Sequence, residues 1–309
     1  MDLLQIINIS KSYKGFCAIK DININVPKGS LFGLLGRNGA GKTTLLRIIN
    51  QLIKPDSGEI LYNNERITRD VLSTFGFLPE ERGLYSRMRV SDQIIYFGLL
   101  KDLDKQTAIR NMEWWFSRLG VDDWQNKKIE DLSKGMQQKI QLIVALINFP
   151  KFLILDEPFS GFDPVTIEAI KELIIELNNK GTTTILSTHN LSIAEELCDN
   201  IAIINNKQVV IQGELNKLYS EYGLNKYMIE LKDDRESIFE NEHIRVLDHK
   251  GSSVELEVDE KIDFSDILIE ICKQTKIVGF SKRKISLKDL FLKVTNEEYN
   301  NTNESQNVE

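Results

Sequence analysis

The chain has 309 residues, of which 41% are apolar, and a formal net charge of −7. This apolar content is enough to bury a full core, and the length fits one large domain plus a smaller one. The net negative charge predicts that the protein as a whole does not attract nucleic acid. No uninterrupted apolar run approaches the roughly 20 residues of a membrane span, so a membrane role would need a separate partner chain.

Isolated cysteines and histidines exclude a disulfide framework and a metal cluster. Cys17, Cys198 and Cys272 lack disulfide or metal spacing, so we expect small core residues in a chain kept in a reducing compartment. His243 and His249 also lack a ligand cluster, and we expect both at the surface. The N-terminus has no basic region followed by an apolar stretch, which predicts no export signal.

The first predicted elements are two strands, at residues 2–10 and 22–27, whose apolar and polar residues alternate. We expect them to form an antiparallel flank. An apolar run at residues 30–35 then leads into a glycine-rich turn and a helix, the order of a phosphate-binding P-loop. The residues predicted to contact the nucleotide here are Gly36, Arg37, Asn38, Gly39, Ala40, Gly41, Lys42, Thr43 and Thr44.

The chemistry of this loop follows from its residue types. Its glycines allow successive N–H groups to curl around phosphates, and the positive end of the next helix faces the same anion. Lys42 can reach the β- and γ-phosphates, and the Thr43 hydroxyl is an oxygen ligand suited to Mg²⁺. The loop therefore predicts binding of a nucleoside triphosphate.

A helical segment is predicted next, after a strand near residues 74–78 and a loop that contains Glu80. Apolar residues at helical spacing recur over residues 91–149, and Pro150 ends the pattern. We place this helical insert at about residues 84–150. Short apolar runs at residues 151–156 and 182–187 then predict parallel strands joined by a crossover helix at residues 166–178.

Two adjacent acids end the first of these strands. Asp156 lies where P-loop proteins hold Mg²⁺ opposite the Thr43 ligand. Glu157 points to the other side of the strand and can act as general base on the attacking water, or at least orient it. His189, after the next strand, can meet the γ-phosphate from the same side, although a lone histidine is more often structural.

A third motif, at residues 132–138, opens a helix 23 residues before Asp156 (156 minus 133), with Ser133 as N-cap and phosphate ligand. With this motif the sequence resembles an ATP-binding cassette (ABC) ATPase. The signature of that family is Leu-Ser-Gly-Gly-Gln, so Ser133 and Gly135 match it, while Lys134 and Met136 depart from it.

Further family features follow in the expected order. Tyr13 resembles the aromatic residue that stacks on adenine, although Phe16 is close by and either could be a core residue. Residues 160–163 resemble the loop that joins the two sites of a dimer, and His189 resembles the switch histidine. The resemblance covers residues 1 to about 217.

The resemblance implies an α/β P-loop ATPase core with an antiparallel β flank and a helical subdomain, using ATP and Mg²⁺. In this family two cassettes meet head to tail, so Ser133 and Gly135 of one subunit complete the ATP site of the other. The expected partners are a second ATPase subunit, as a homodimer, and a separate transmembrane permease, with no nucleic acid. The expected location is the cytoplasmic face of a bacterial membrane.

Glu80 departs from the family, which usually has glutamine in the loop that touches Mg²⁺ and faces the membrane partner. A carboxylate there would bind Mg²⁺ more strongly and add negative charge near Glu157. The alternative is a solvated acid paired with Arg82. Residues 78–85 also resemble exporters of the sodium and drug efflux branch, and glutamate in this loop also occurs in ATPases that protect bacteria from lantibiotic peptides.

The ATPase motifs stop at residue 217. Alternating patterns, a hairpin turn at residues 250–253, and helices at 265–274 and from Ser286 predict a small α+β accessory domain at 218–296. Ser286 and Asp289 form a capping box. This domain is either a regulatory or dimer-contact module or a packing cover, and appended domains are seen in the same exporter branch. Residues 297–309 are predicted to be a disordered tail.

Two other classes of protein are worth weighing. A soluble ABC protein that acts on ribosomes or DNA usually carries two cassettes in one chain or a long coiled coil, and neither is present here. A P-loop GTPase would need an Asn-Lys-x-Asp motif, which residues 205–208 do not supply, and a kinase would need a lid arginine pattern. The sequence therefore favours the ATPase subunit of a membrane exporter.

Overall fold

The structure is a computed structural model that describes residues 2–81, 83–222, 226–232, 243–259, 262–283 and 285–306, with side-chain burial up to residue 296. The chain divides into two compact units, Met1–Leu215 with Val294–Glu309, and Asn216–Lys293. The division at Leu215 lies two residues before the end predicted from the sequence, whereas the C-terminal residues from Val294 on are grouped with the first unit.

The first unit is built from ten strands and seven helices among the described residues. Its strands are β1 (Asp2–Tyr13), β2 (Phe16–Pro27), β3 (Leu31–Leu35), β4 (Ser57–Tyr62), β5 (Glu65–Arg66), β6 (Phe75–Leu78), β7 (Phe152–Asp156), β8 (Thr183–Thr188), β9 (Asn200–Asn205) and β10 (Gln208–Glu214). Its helices are α1 (Lys42–Ile49), α2 (Arg69–Ser73), α3 (Val90–Leu100), α4 (Lys105–Leu119), α5 (Lys134–Leu146), α6 (Pro164–Asn179) and α7 (Leu191–Leu197).

Two sheets organise this unit. A four-stranded antiparallel sheet has the order β2-β1-β4-β5, so the antiparallel flank predicted from the alternating pattern is confirmed. A six-stranded sheet has the order β10-β9-β3-β8-β7-β6 and is parallel except for β10. Strands β3 and β7 are buried at every residue, which explains their continuous apolar runs.

The sheet order brings distant segments of the chain to one edge. Because β3, β8, β7 and β6 are neighbours and parallel, their carboxyl ends meet at the same edge of the sheet. Loops that leave this edge are the usual ligand-binding loops of such sheets. The loops that contain Gly36, Glu80, Glu157 and His189 all leave from this edge.

The predicted helical segment consists of α3, α4 and α5. The Asp104 side chain caps α4 by accepting a hydrogen bond from Thr107 N at 2.9 Å, and Gly120 ends the helix in a left-handed conformation. Trp115 is fully buried, and its indole N–H donates to the Leu146 carbonyl at the end of α5 at 3.0 Å. This bond and the packing around it hold α4 against α5.

The second unit is a four-stranded antiparallel sheet with helices. It contains α8 (Leu215–Glu221), which begins at the division, and then β11 (Lys226–Leu231), β12 (Ile244–Lys250), β13 (Ser253–Val258), α9 (Phe264–Gln274), β14 (Ile277–Lys282) and the part of α10 (Leu287–Gln306) that ends at Lys293. The sheet order is β12-β13-β11-β14, and the predicted hairpin turns at Gly251 with φ +58°. The predicted capping box is confirmed, because Ser286 N donates to Asp289 Oδ2 and Asp289 N donates to Ser286 Oγ, each at 3.1 Å.

Some local expectations differ from the structure. Cys198 is buried, but Cys272 is exposed on α9, so the prediction that all three cysteines are core residues was wrong for Cys272. His243, immediately before β12, and His249, on β12, are partly buried. Helix α10 extends to Gln306, into the segment predicted to be disordered, and residues 307–309 lie outside the described residues. No described helix is long and apolar enough to cross a membrane.

Candidate functional site

A cavity of about 460 Å³ lies over the glycine-rich turn between β3 and α1. It brings together residues from four separate segments of the first unit. The lining residues are Tyr13, Phe16, Ala18, Asn38, Gly39, Ala40, Gly41, Lys42, Thr43, Thr44, Glu80 and Glu157. Most of the residues predicted to bind nucleotide therefore share one cavity.

The turn depends on glycine at Gly41, which caps α1 with φ +110°. A Cβ atom there would lie 2.3 Å from Ile19 Cγ2 and 2.6 Å from the Ala18 carbonyl. The turn could not keep this shape with a side chain at that position, because the backbone of β2 blocks the space. Tight packing onto β2 thus fixes the conformation of the glycine-rich turn.

Lys42 is a buried cation at the first position of α1. Its ammonium donates to the carbonyls of Gly36 at 2.7 Å and Arg37 at 3.3 Å. Burial lowers the pKa of Lys42, and the negative charges of Glu157, Asp156 and Glu80 oppose that shift. Three carboxylates around one lysine give the site the charges needed to hold a phosphate together with a metal ion.

Asp156 and Glu157 follow β7 and have different surroundings. Asp156 is 2% exposed, and the Ser187 hydroxyl donates a hydrogen bond to its Oδ1. The backbone N–H of Glu157 donates to the Ser187 carbonyl at 3.1 Å. Ser187 on β8 therefore holds both acids in place, a role that the sequence did not indicate.

The Glu157 carboxylate contacts three side chains of the predicted site and the strand beside it. Its Oε1 is 3.8 Å from Lys42 Nζ and 2.8 Å from His189 Nδ1, and Thr188 Oγ1 donates to its Oε2 at 3.4 Å. Glu157 has φ +49°, an unfavourable conformation for a residue with a side chain. Strain of this kind is tolerated where it orients a functional group. The structure thus brings together Glu157, His189 and Lys42.

Glu80 lies on the loop after β6 and is exposed to the cavity that it lines. The side chain of Gln141 on α5 donates to the carbonyls of Pro79 and Glu81, one on each side of Glu80, at 3.1 Å each. The neighbouring Glu81 lies 3.8 Å from Arg47. The alternative pairing of Glu80 with Arg82 lies outside the described residues.

Six predicted site residues are not among those that line the cavity, namely Gly36, Arg37, Asp156, His189, Ser133 and Gly135. The first four bond to or adjoin Lys42 or Glu157, which do line it. Ser133 caps α5, its hydroxyl accepting a hydrogen bond from Met136 N at 3.3 Å, and both its side chain and the neighbouring Gly135 are accessible. Neither is among the residues that line the cavity. Within one subunit, the structure does not bring Ser133 and Gly135 to the glycine-rich turn.

The structure adds residues that sequence reasoning missed. Ala18 lines the cavity, and Phe16, considered before only as an alternative to Tyr13, lines it together with Tyr13. The Lys207 ammonium lies 5.1 Å from the centre of the Phe16 ring and donates to the Gly39 carbonyl. Lys207 is 168 residues from Gly39, so no local pattern could have revealed it.

Comparisons with known proteins agree with this geometry. Residues 19–160 match the family model described as ABC transporter, and residues 213–295 match the one described as the C-terminal domain of DrrA1-3-like ATP-binding proteins. The uncharacterized ABC transporter ATP-binding protein YhaQ of Bacillus subtilis is 36% identical over 290 residues, which cover 94% of this chain and 97% of YhaQ.

Two further proteins are similar over the first unit. The lantibiotic transport ATP-binding protein SrtF of Streptococcus pyogenes is 32% identical over 212 residues, which cover 69% of this chain and 91% of SrtF. The dimeric structure of MJ0796, described as a bacterial ABC transporter cassette, superposes with a TM-score of 0.63 at 25% identity, over 69% of this chain and 98% of that chain. Another structure of MJ0796 is of a post-hydrolysis state that holds ADP and Pi.

Proposed function

We propose that this chain, which belongs to the ATP-binding subunits of ABC transporters, powers export through a separate membrane protein by ATP-driven dimerisation. The members of this family are ATPases. The observation that carries the proposal is the carboxylate of Glu157, held between His189 and Lys42 at the mouth of the P-loop cavity. This arrangement suits attack by water on the γ-phosphate of ATP.

In the proposed reaction Glu157 accepts a proton from the attacking water. The water oxygen bonds to the γ-phosphorus, the bond from that phosphorus to the β-phosphate oxygen breaks, and ADP and phosphate leave. His189 orients the Glu157 carboxylate through their 2.8 Å contact. The N–H groups of the turn and the Lys42 ammonium stabilise charge on the phosphates.

The residues present fit a magnesium ion bound together with ATP. The Thr43 hydroxyl and the buried Asp156 carboxylate are oxygen ligands of the kind that Mg²⁺ prefers, and Glu80 lines the same cavity. No group of three or more metal-ligating acids, histidines or cysteines occurs among the described residues, which fits an ion held partly by phosphates and water. When bound, Mg²⁺ would neutralise charge on the β- and γ-phosphates.

The second half of the proposed ATP site comes from another copy of the chain. Ser133 and Gly135 are accessible and lie outside the cavity, at the N-terminus of α5, where N–H groups favour an anion. The similar cassette MJ0796 has been solved as a dimer. In a head-to-tail homodimer, Ser133 and Gly135 of each subunit would meet the γ-phosphate held by the other.

An apolar groove supports a membrane protein as the other partner. The groove has a volume of about 320 Å³ and adjoins the Glu80 loop. Its apolar lining residues are Leu52, Leu72, Phe75, Phe77, Pro79, Leu84, Phe97 and Val144. Contiguous exposed apolar patches mark interaction surfaces, and Leu52, which belongs to this groove, is 61% exposed. SrtF of a bacterium is named for lantibiotic transport, which supports a transport role. The proposed direction is export, and the proposed location is the cytoplasmic face of a bacterial membrane.

Co-purification of the tagged full chain from detergent-solubilised membranes tests this partner. We expect an integral membrane protein to co-purify with the wild type and to be lost from Leu52→Asp, which retains ATPase activity in isolation. Val165→Asp is the matched control, because Val165 is 80% exposed on α6 and is not among the groove residues. Recovery of the chain with ribosomes or DNA, and never with a membrane protein, would support the soluble alternative instead.

A further inference from the structure

Gln141 connects two parts of the molecule that the reaction uses separately. It lies on α5, eight residues after Ser133 (141 minus 133), and is 5% exposed. Its side-chain Nε2 donates two hydrogen bonds, to the carbonyls of Pro79 and Glu81, each at 3.1 Å. Both hydrogens of the amide are thus used by the two residues on either side of Glu80.

This contact restrains the backbone that carries Glu80. A buried amide that bonds two carbonyls restrains their positions relative to each other. The Pro79 carbonyl belongs to the peptide group that precedes Glu80, and the Glu81 carbonyl belongs to the peptide group after the next residue, so the loop is held on both sides of Glu80. The position of the Glu80 carboxylate in the cavity therefore depends on where Gln141 lies.

Because Gln141 lies on α5, a displacement of the N-terminus of that helix would also move Gln141. Ser133 caps that end, and a helix is rigid over the about 12 Å that eight residues span. Any displacement of α5 on contact with a second subunit's nucleotide would move Gln141 and, through it, the loop that carries Glu80. Glu80 shares its cavity with Lys42 and Glu157, so such a movement would change the charge beside them.

We infer that Gln141 is a positioning residue that transmits the engagement of Ser133 with the second subunit's ATP to Glu80 in the subunit's own ATP site. The inference deepens the proposed function and rests on it, because it requires Glu80 to act at the nucleotide. In the dimer, Gln141 would thus link the two ATP sites.

The test removes the two donors with little change of shape, using Gln141→Met in the full chain. We expect kcat for ATP hydrolysis to fall about tenfold, as for loss of an interaction that orients the reacting groups, while the Kd for ATP changes by less than about twofold. Asn111→Leu is the matched control, since Asn111 on α4 donates a similar bond to the Ile147 carbonyl at 2.8 Å. We expect it to lower Tm as much as Gln141→Met does but to change kcat by less than about twofold.

A double-mutant cycle with Glu80→Gln separates the inference from the proposed function. Glu80→Gln alone is expected to keep ATP affinity and to change both kcat and the Mg²⁺ concentration for half-maximal rate. Adding Gln141→Met to Glu80→Gln should then change kcat by less than about twofold. Gln141→Lys, which restores donors for the two carbonyls, should recover kcat to within about threefold of the wild type.

The outcomes are distinct. If Glu80→Gln behaves as the wild type, the proposed role of Glu80 fails, and the inference fails with it. If Glu80→Gln changes the kinetics but Gln141→Met adds its full effect to it, the role of Glu80 stands and the link through Gln141 is overturned. A loss of kcat in Gln141→Met that matches Asn111→Leu at equal Tm also overturns the link.

Discussion

Each of the two units of the chain buries a carboxylate, and the two carboxylates have different partners. In the second unit Glu255 is 7% exposed and forms a salt bridge with Arg283. In the first unit Asp156 is 2% exposed and meets the Ser187 hydroxyl, a neutral group. A buried acid paired with a full positive charge is typical of a structural role, whereas a buried acid with only a neutral partner is typical of a site that binds a ligand.

The same contrast holds for the backbone and for cations. Glu157 adopts a left-handed conformation, and Lys42 is buried among carbonyls and three acids. The core of the second unit is regular and aliphatic, with Ile229, Val254 and Leu256 fully buried. At the candidate site, a residue in a left-handed conformation lies beside a buried lysine, and variants of the two units should separate activity from stability.

The largest expected effect is on activity, from Glu157→Gln. Because an amide cannot accept the proton from water, kcat should fall about a thousandfold, which is about 4 kcal/mol of barrier. ATP binding should persist, and the variant should accumulate as an ATP-bound dimer in size-exclusion chromatography with light scattering. Full ATPase activity would refute the role of Glu157 as the base.

The next largest effect is expected on dimerisation. The change Ser133→Arg, made in the Glu157→Gln variant, tests whether a second copy of the chain completes the ATP site. A long side chain at the accessible N-terminus of α5 should prevent the ATP-dependent dimer, while the Kd for ATP changes by less than about threefold. Ser117→Arg, at an exposed position of α4, is the control and should still dimerise. Dimers that form equally well in both variants would place the interface elsewhere.

A smaller effect, on stability alone, is expected in the second unit from Arg283→Met. This change leaves Glu255 buried without its partner, and since Arg283 is half exposed, we expect a loss of about 2 kcal/mol in the free energy of unfolding. Arg245→Met is the control, because Arg245 is 79% exposed and lies 3.9 Å from Glu257. Urea unfolding measures both, and ATPase activity should not change. A drop in activity at full stability would contradict the contrast between the units.

The smallest effect concerns Lys101 in the first unit, which donates to the Phe75 carbonyl at 2.6 Å and to Asn148 Oδ1 at 3.2 Å. Burial lowers the pKa of Lys101 from 10.5 to about 8. Between these values the unfolded chain binds more protons than the folded one, so the free energy of unfolding rises with pH. We expect a gain of about 1 kcal/mol between about pH 7 and pH 9. Urea unfolding of Lys101→Met should lack this gain, and an equal rise in both proteins would exclude Lys101 as its source.

Much of the first unit was predictable because its signals are local. The antiparallel flank, the P-loop between β3 and α1, and the parallel strands β7 and β8 follow from patterns within a few residues, and the structure confirms them. The wrong expectation for Cys272 has a physical cause as well. A cysteine on a helix is buried or exposed according to which face of the helix packs, and a single isolated residue carries no periodicity.

The sequence by itself determined the glycine-rich turn between β3 and α1 and the two acids after β7, since glycine conformations, helix caps and buried strands are set by near neighbours along the chain. Only the tertiary structure decided which residues meet them. Ser187 reaches Asp156 across neighbouring strands, Gln141 holds the Glu80 loop from 60 residues away, and Ser133 stays outside the cavity of its own subunit. These placements depend on strand order and helix packing, which are long-range properties of the folded chain.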